Sequence, residues 1–183
     1  MSVWGATPET PVPFMRAKAE NEAHLRSSGL AWTILAPNAF METWPGAIVG
    51  GPAAAGRDVV IVGEGKTRHA FIAEHDVAQF ATAAVMNDGA RNRYLALGGP
   101  EAHSWLDVVK TYEAVLARPV PVRHVAPGDP VEGMPPFLLA LLAGQDTYES
   151  VFDTSTVASE FGVTQTPLAA WVRASLGSRM SRV

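Results

Sequence analysis

Phe14 and Lys18 stand four positions apart in a stretch of charged and small residues. On a helix, positions i and i+4 share one face, so an aromatic ring and an ammonium would point into the same cleft. Gly65-Lys66-Thr67 has the form of the end of a phosphate-binding loop, but the upstream glycine that such a loop needs would fall at Val60. The residues after Thr67 alternate like a strand, so a hairpin turn is the better reading. The five histidines (His24, His69, His75, His103 and His124) include no pair at helical ligand spacing, and no metal site is proposed. There is no Gly-x-Ser-x-Gly elbow, so a serine hydrolase of the α/β type has no support. Glu20 and Glu22 flank basic residues and read as a solvated helix face. Trp105, Tyr112 and Trp171 sit at core-like spacings and read as packing.

Composition narrows the classes further. The 183 residues are 48% apolar and 17% charged, which fits one folded domain with a sizeable core, or a domain with a small appendage. The net charge of −4 is mild and the basic residues are scattered, so no nucleic-acid partner is expected. With no cysteine, disulfides, thiolate metal sites and a thiol nucleophile are excluded. The N-terminus shows no secretory pattern, and the apolar run Phe137–Ala143 is far short of the roughly 20 residues that span a bilayer. A cytoplasmic protein without membrane contact is expected. The Phe137 run reads as a core helix or, less simply, a partner surface.

The elements that would position these residues alternate. Ser2-Val-Trp-Gly-Ala6 reads as the tail of a buried strand, followed by a Pro-rich loop and a helix from Ala17 to Ser28 that stops at Gly29. Leu30–Leu35 is almost wholly apolar, as in a parallel strand covered on both faces. Val59–Val62, Gly63–Lys66 and Thr67–Ile72 read as strand, turn, strand. Asp76 is placed to cap a helix running to Met86, and Arg93–Leu97 reads as a further buried strand. Beyond Gly99 the pattern changes to an amphipathic helix from Ser104 to Leu116 and a Pro-bearing edge strand, Pro119–Val125. A Pro/Gly-rich connector and helices near 137–143, 155–161 and 168–176 complete the chain. The expected class is α/β, a partial Rossmann-type parallel sheet over residues 1–99 with a hairpin insertion, and a mainly helical cap over 100–183.

Together these pieces resemble the NmrA-like NAD(P)-binding family, a branch of the atypical short-chain dehydrogenases/reductases. The resemblance rests on an ordered set: Ser2-Val-Trp-Gly-Ala6, Lys18-Ala-Glu-Asn-Glu22, Ser28-Gly-Leu-Ala-Trp-Thr-Ile-Leu35, Pro37-Asn-Ala-Phe-Met-Glu42, Gly63-Glu-Gly-Lys-Thr67, Phe71-Ile-Ala-Glu-His-Asp-Val-Ala78 and Leu97-Gly-Gly-Pro100. It implies a site for NAD(P), with NADP slightly preferred, and a small organic substrate such as a quinone-like carbonyl. Lys18 would contact the nicotinamide ribose, and Ser2 would lie near the reacting centre. The loop residues Asn38, Phe40, Met41, Glu42 and Thr43 would line the nicotinamide side. Ala36 and Thr43 stand where the family carries Arg and Asn, and each change removes hydrogen-bonding capacity.

Two departures shape the expected activity. Phe14 occupies the position of the superfamily's proton-donating tyrosine and has no ionisable group, so no catalytic residue is assigned. The glycine-rich turn that cradles the pyrophosphate at a helix N-terminus has no counterpart in these residues. Each lost charge-assisted hydrogen bond is worth roughly 1.5–3 kcal/mol, so cofactor binding by this chain is expected to be weak or absent, and turnover with it. The chain is expected to hold the last strands of the sheet, with a second copy or another protein covering the exposed edge. The rival reading is a non-catalytic regulatory or interaction module of the same fold.

Overall fold

The computed structural model describes residues 1–10 and 12–180. Its chain order begins with helix α1 (Pro13–Ser27), strand β1 (Thr33–Pro37), a π-helical turn (Pro45–Gly50), the short helix α2 (Gly51–Ala54), strand β2 (Val59–Val62), helix α3 (Glu74–Val85) and strand β3 (Arg93–Leu97). Helix α4 (Trp105–Leu116), strand β4 (Val122–Val125) and helices α5 (Pro136–Gln145), α6 (Ser155–Glu160) and α7 (Leu168–Met180) complete it.

β1 and β3 pair in parallel, with Thr33 opposite Arg93 and Pro37 opposite Leu97. The N-terminal segment runs along the other side of β1: Ser2 N–H donates to the Leu35 carbonyl at 2.7 Å, and Trp4 N–H to that of Pro37 at 3.0 Å. Ser2–Trp4, β1 and β3 are therefore three parallel chain segments, as the apolar runs require. α3 and α6 cover this sheet through Ile72, Val77, Phe80, Leu95, Leu97, Ala158 and Phe161. The chain is α/β, with the strand pattern of a partial Rossmann-type sheet.

A second parallel pair, β2 with β4, sets Val59 opposite Val122. Pro119 and Pro121 lie just outside β4, so neither removes a donor from the ladder. α4, α5, α7 and the π-helical turn bury Val49, Ile61, Trp105, Val108, Tyr112, Leu142 and Val172 around this pair. Since β2 belongs to the first 99 residues and β4 to the remainder, this core spans the boundary drawn between them.

Several local expectations are corrected. Thr67–Ile72 does not return as a hairpin strand beside β2. Its His69 instead exchanges backbone bonds with His103, 3.0 Å in each direction, and Ala70 N–H reaches the Ser150 carbonyl. The turn before it is held from outside: the N–H groups of Glu64 and Gly65 donate to the two carboxylate oxygens of Asp146 at 3.0 and 2.9 Å. The loop that looks like a phosphate cradle thus binds an anion of its own chain, and Lys66 points outward to pair with Glu64. Gly63 adopts φ +75°, and a Cβ there would stand 2.0 Å from Asp146 Oδ2. Asp76 does not cap α3. It lies inside the first turn, fully buried, and accepts from Thr166 N–H (2.7 Å) and Oγ1–H (2.8 Å). An unanticipated cap forms on α4, where Ser104 and Asp107 make a reciprocal capping box.

Candidate functional site

α1 starts with Pro13, which tolerates the first helical turn because its missing N–H has no intrahelical acceptor there. The helix buries Ala19 and Glu22. Glu22 is no part of a solvated face: it is 8% exposed, accepts from the Ser2 hydroxyl at 2.5 Å and pairs with Arg26 at 3.1 Å. A buried carboxylate is tolerated when hydrogen bonds replace its water, and these two do so. Arg26 in turn lies over the rings of Trp32 and Tyr94, with centroid distances of 5.4 and 5.7 Å. Burial, with the Glu22 charge behind it, pushes the Tyr94 phenol above its ordinary range.

Lys18 lies one turn earlier. Its ammonium stands 5.5 Å from the Phe14 ring centroid and donates to the Met1 carbonyl at 3.3 Å. It borders a cavity of about 120 Å³ together with Ser2, Asn21, Glu22 and Ile34. An ammonium has three donors, so the bond to Met1 leaves capacity for the hydroxyls of a sugar. This donor set fits a ribose. Ser2, the other residue expected at the reacting centre, already gives its hydroxyl hydrogen to Glu22.

The loop after β1 is engaged with the fold. Asn38 N–H bonds the Leu97 carbonyl at 2.8 Å, and its side-chain amide donates to Ser150 Oγ at 2.8 Å. Met41 is 1% exposed, and its N–H bonds the Ile72 carbonyl. Phe40 is bridged to Ile72 and packs on the α3 side of the sheet. Glu42 accepts the Trp171 indole N–H at 2.8 Å and, with its other oxygen, Glu74 N–H at the start of α3. Thr43 is exposed. The structure thus keeps Asn38 to Thr43 together at the carboxyl end of β1, while Lys18 stands apart from them on α1.

The carboxyl end of the Ser2–Trp4 segment opens into the larger space. A cleft of about 520 Å³ is lined by Trp4, Thr10, Val12, Met15 and Tyr148, among others. Met15 and Lys18 are three residues apart, so the cleft and the smaller cavity flank the same helix. Phe152 stacks on Trp4 at 5.1 Å between centroids, with the planes 9° apart. Tyr148 rests against His69 in an edge-to-face contact at 5.5 Å. Burial pushes the Tyr148 phenol above its ordinary value, so it remains protonated at neutral pH.

Sequence reasoning about the site missed Tyr148 and His69. His69 is buried, its Nε2 lies 3.1 Å from the Gln145 carbonyl, and its Nδ1 lies 2.8 Å from Ser150 Oγ. The available signal was the short polar stretch Gln145–Ser150 directly after an apolar helix. It holds one aromatic residue with a hydroxyl, and no periodicity places that residue.

Comparisons with known proteins agree with this fold. A family model described as NAD(P)H-binding matches residues 2–88. An NAD(P)H azoreductase from Xenophilus azovorans is 34% identical over 125 residues, covering 67% of this chain and 41% of the relative. A (4-alkanoyl-5-oxo-2,5-dihydrofuran-3-yl)methyl phosphate reductase from Streptomyces griseus is 32% identical over 105 residues, covering 57% of this chain and 36% of the relative. The chain therefore spans about two fifths of the length of these curated relatives. Among solved structures, the NADPH-dependent quinone oxidoreductase of Escherichia coli, in complex with NADPH, superposes with a TM-score of 0.77 at 22% identity. That match covers 96% of this chain and 64% of the other.

Proposed function

From the premise that the chain belongs to the NmrA-like NAD(P)-binding family of atypical short-chain dehydrogenases/reductases, we propose that it forms the nicotinamide and substrate side of an NAD(P)H-dependent reductase site for a small organic molecule. The observation that carries this reading is the position of the cleft. It opens at the carboxyl end of a parallel segment, beside the helix that presents Lys18, and ligands of open α/β sheets bind at such strand ends. Lys18 holds the ribose hydroxyls, and the loop from Asn38 through Phe40, Met41 and Glu42 to Thr43 forms the wall behind the nicotinamide. The bound dinucleotide supplies the hydride. The chain's own residues bind, orient and screen the reacting groups.

Affinity is proposed to be low for the 183 residues alone, because these residues supply no glycine-rich strand-to-helix turn for the pyrophosphate, and NADPH is proposed to bind ahead of NADH. Calorimetric titration with both cofactors, combined with saturation-transfer NMR, tests this. Weak binding with the strongest transfer to the nicotinamide ribose protons is expected. Absence of transfer there sinks the site assignment, and micromolar affinity with turnover sinks the weak-binding part.

The free side of the Ser2–Trp4 segment supports a second reading, an interaction module whose partner adds to that edge. Among the described residues no strand pairs there, and Phe14 on the adjoining helix is 60% exposed. Sedimentation across a concentration series reads this out: a constant monomer mass removes self-association. No helix among the described residues is long and apolar enough to cross a membrane.

A further inference from the structure

We propose that Tyr148 holds the acceptor oxygen of a planar aromatic substrate lying in the cleft beside Trp4, the part that Phe14 cannot play. This inference deepens the reductase reading and rests on it for the substrate's role, though the ligand site itself can be tested without cofactor. Four observations converge. The cleft, at about 520 Å³, is of the size that takes a small organic ligand. Its walls combine the Trp4 indole and the Val12 and Met15 side chains with the polar side chains of Thr7, Glu9, Thr10 and Thr147, and the indole offers a face on which a flat ring can stack. Tyr148 lines the same cleft, and among the described residues its hydroxyl makes no hydrogen bond although the ring is held edge-on by His69. Phe152 fixes Trp4 by stacking, so two aromatic residues reach the cleft already braced from behind.

Three other hydroxyls nearby are already engaged within the fold, which leaves Tyr148 beside Thr7 and Thr10 as the hydroxyls that line the cleft. Ser2 is committed to Glu22, and Thr147 Oγ1 donates to the Gly144 carbonyl at 2.7 Å. The Ser150 hydroxyl lies between Asn38 and His69. A phenol with no protein partner, facing the cleft, supplies one directional donor, and an aromatic carbonyl supplies the matching acceptor. Quinones combine a flat ring with such an oxygen.

The test uses the intact chain without cofactor and two probes, 1,4-naphthoquinone and naphthalene. With no cysteine in the chain, thiol adducts of the quinone do not arise. Calorimetry or NMR titration of the wild type and Tyr148→Phe gives four affinities. The variant is expected to bind the quinone about three- to tenfold more weakly and to bind naphthalene unchanged, the loss of one hydrogen bond to a neutral acceptor. Equal effects on both probes, no effect on either, or no quinone binding by the wild type overturns the proposal. Intermolecular NOEs between the quinone and the ring protons of Tyr148 provide a measurement on the wild type alone, and their absence also overturns it. If the quinone discriminates while NADPH fails to bind, the ligand site stands and the cofactor reading falls.

Discussion

Ser150 donates its hydroxyl hydrogen to Nδ1 of His69 across 2.8 Å, and this bond fixes the imidazole as the neutral Nε2–H form. The assignment comes from the opposite nitrogen. Nε2 faces the Gln145 carbonyl, which can only accept, so Nε2 carries the hydrogen and Nδ1 is the acceptor. Asn38 completes the chain by donating to Ser150 Oγ. The network ties the loop bearing Tyr148 to the carboxyl end of β1, so the cleft and the loop after β1 share one hydrogen-bonded support.

Stability should depend on pH through this imidazole. Burial holds His69 below its usual value of about 6.5, while the Gln145 carbonyl and the charges of Glu149 and Asp146 oppose that shift without cancelling it. Its contribution is complete above about pH 6.5 and declines as pH falls below that value, because the unfolded chain then binds the proton first. Urea denaturation at pH 7.5 and 5.0 should show the wild type losing more stability than His69→Gln. The difference is bounded by about 1.4 kcal/mol per pH unit for one proton. His103, also lowered chiefly by burial, leaves a residual slope in both proteins. Identical slopes would remove His69 from the account.

Gly63 makes a second prediction because its conformation and its surroundings both exclude a side chain. Alanine at φ +75° costs about 1–2 kcal/mol, and here its Cβ would also displace Asp146 from the two N–H groups that it holds. Gly29 is a matched control, with the same φ of +75° and nothing within 4 Å of a Cβ. Gly63→Ala should therefore cost at least about 2 kcal/mol more than Gly29→Ala, the worth of one charge-assisted bond. Equal costs in chemical denaturation would show that the Asp146 clasp contributes nothing.

The Asp76–Thr166 clasp joins α3 to the segment that leads into α7. Asp76→Ala removes two hydrogen bonds to a fully buried carboxylate and should cost about 2–4 kcal/mol. Thr166→Val removes only the hydroxyl bond and should cost less. The double variant should fall well short of the sum of the singles, since both act on one contact. Strict additivity in a denaturation cycle would refute the coupling.

The sequence made the regular elements legible and left the long-range polar contacts hidden. Ser104 to Leu116 shows an apolar stripe, which is a local property of the chain, so α4 forms where the pattern puts it. The apolar runs also marked β1 and β3, although β1 starts at Thr33 instead of Leu30, which stays exposed, as does Tyr94 in β3. Glu22 looked like a surface carboxylate because its compensating partner, Ser2, lies 20 positions away and outside the helix. The strand-like alternation of Thr67–Ile72 was real, but Gln145 and Ser150, some 80 residues downstream, offered it other partners. Tyr148 was invisible for the same reason. Its place in the cleft depends on Asp146 and Ser150 being anchored on either side of it, and neither anchor has a local signature.

Lys18 and Glu42 separate affinity from stability, and so test which parts of the proposed cofactor site act directly. The Lys18 ammonium has one long bond to a carbonyl, and its removal takes away little that holds the fold. Lys18→Ala should weaken NADPH binding about tenfold, as loss of one charge-assisted contact predicts, with Tm unchanged. Glu42 supports the loop from within by accepting the Trp171 indole and the first N–H of α3. Glu42→Ala should lower stability by about 1–3 kcal/mol, and any loss of affinity should accompany that loosening of the loop. Thermal melts and NADPH titrations on the two variants decide the matter. If Lys18→Ala melts early and Glu42→Ala loses affinity at full stability, the two assignments must be exchanged: the lysine would be a structural contact and the carboxylate the group that meets the ligand.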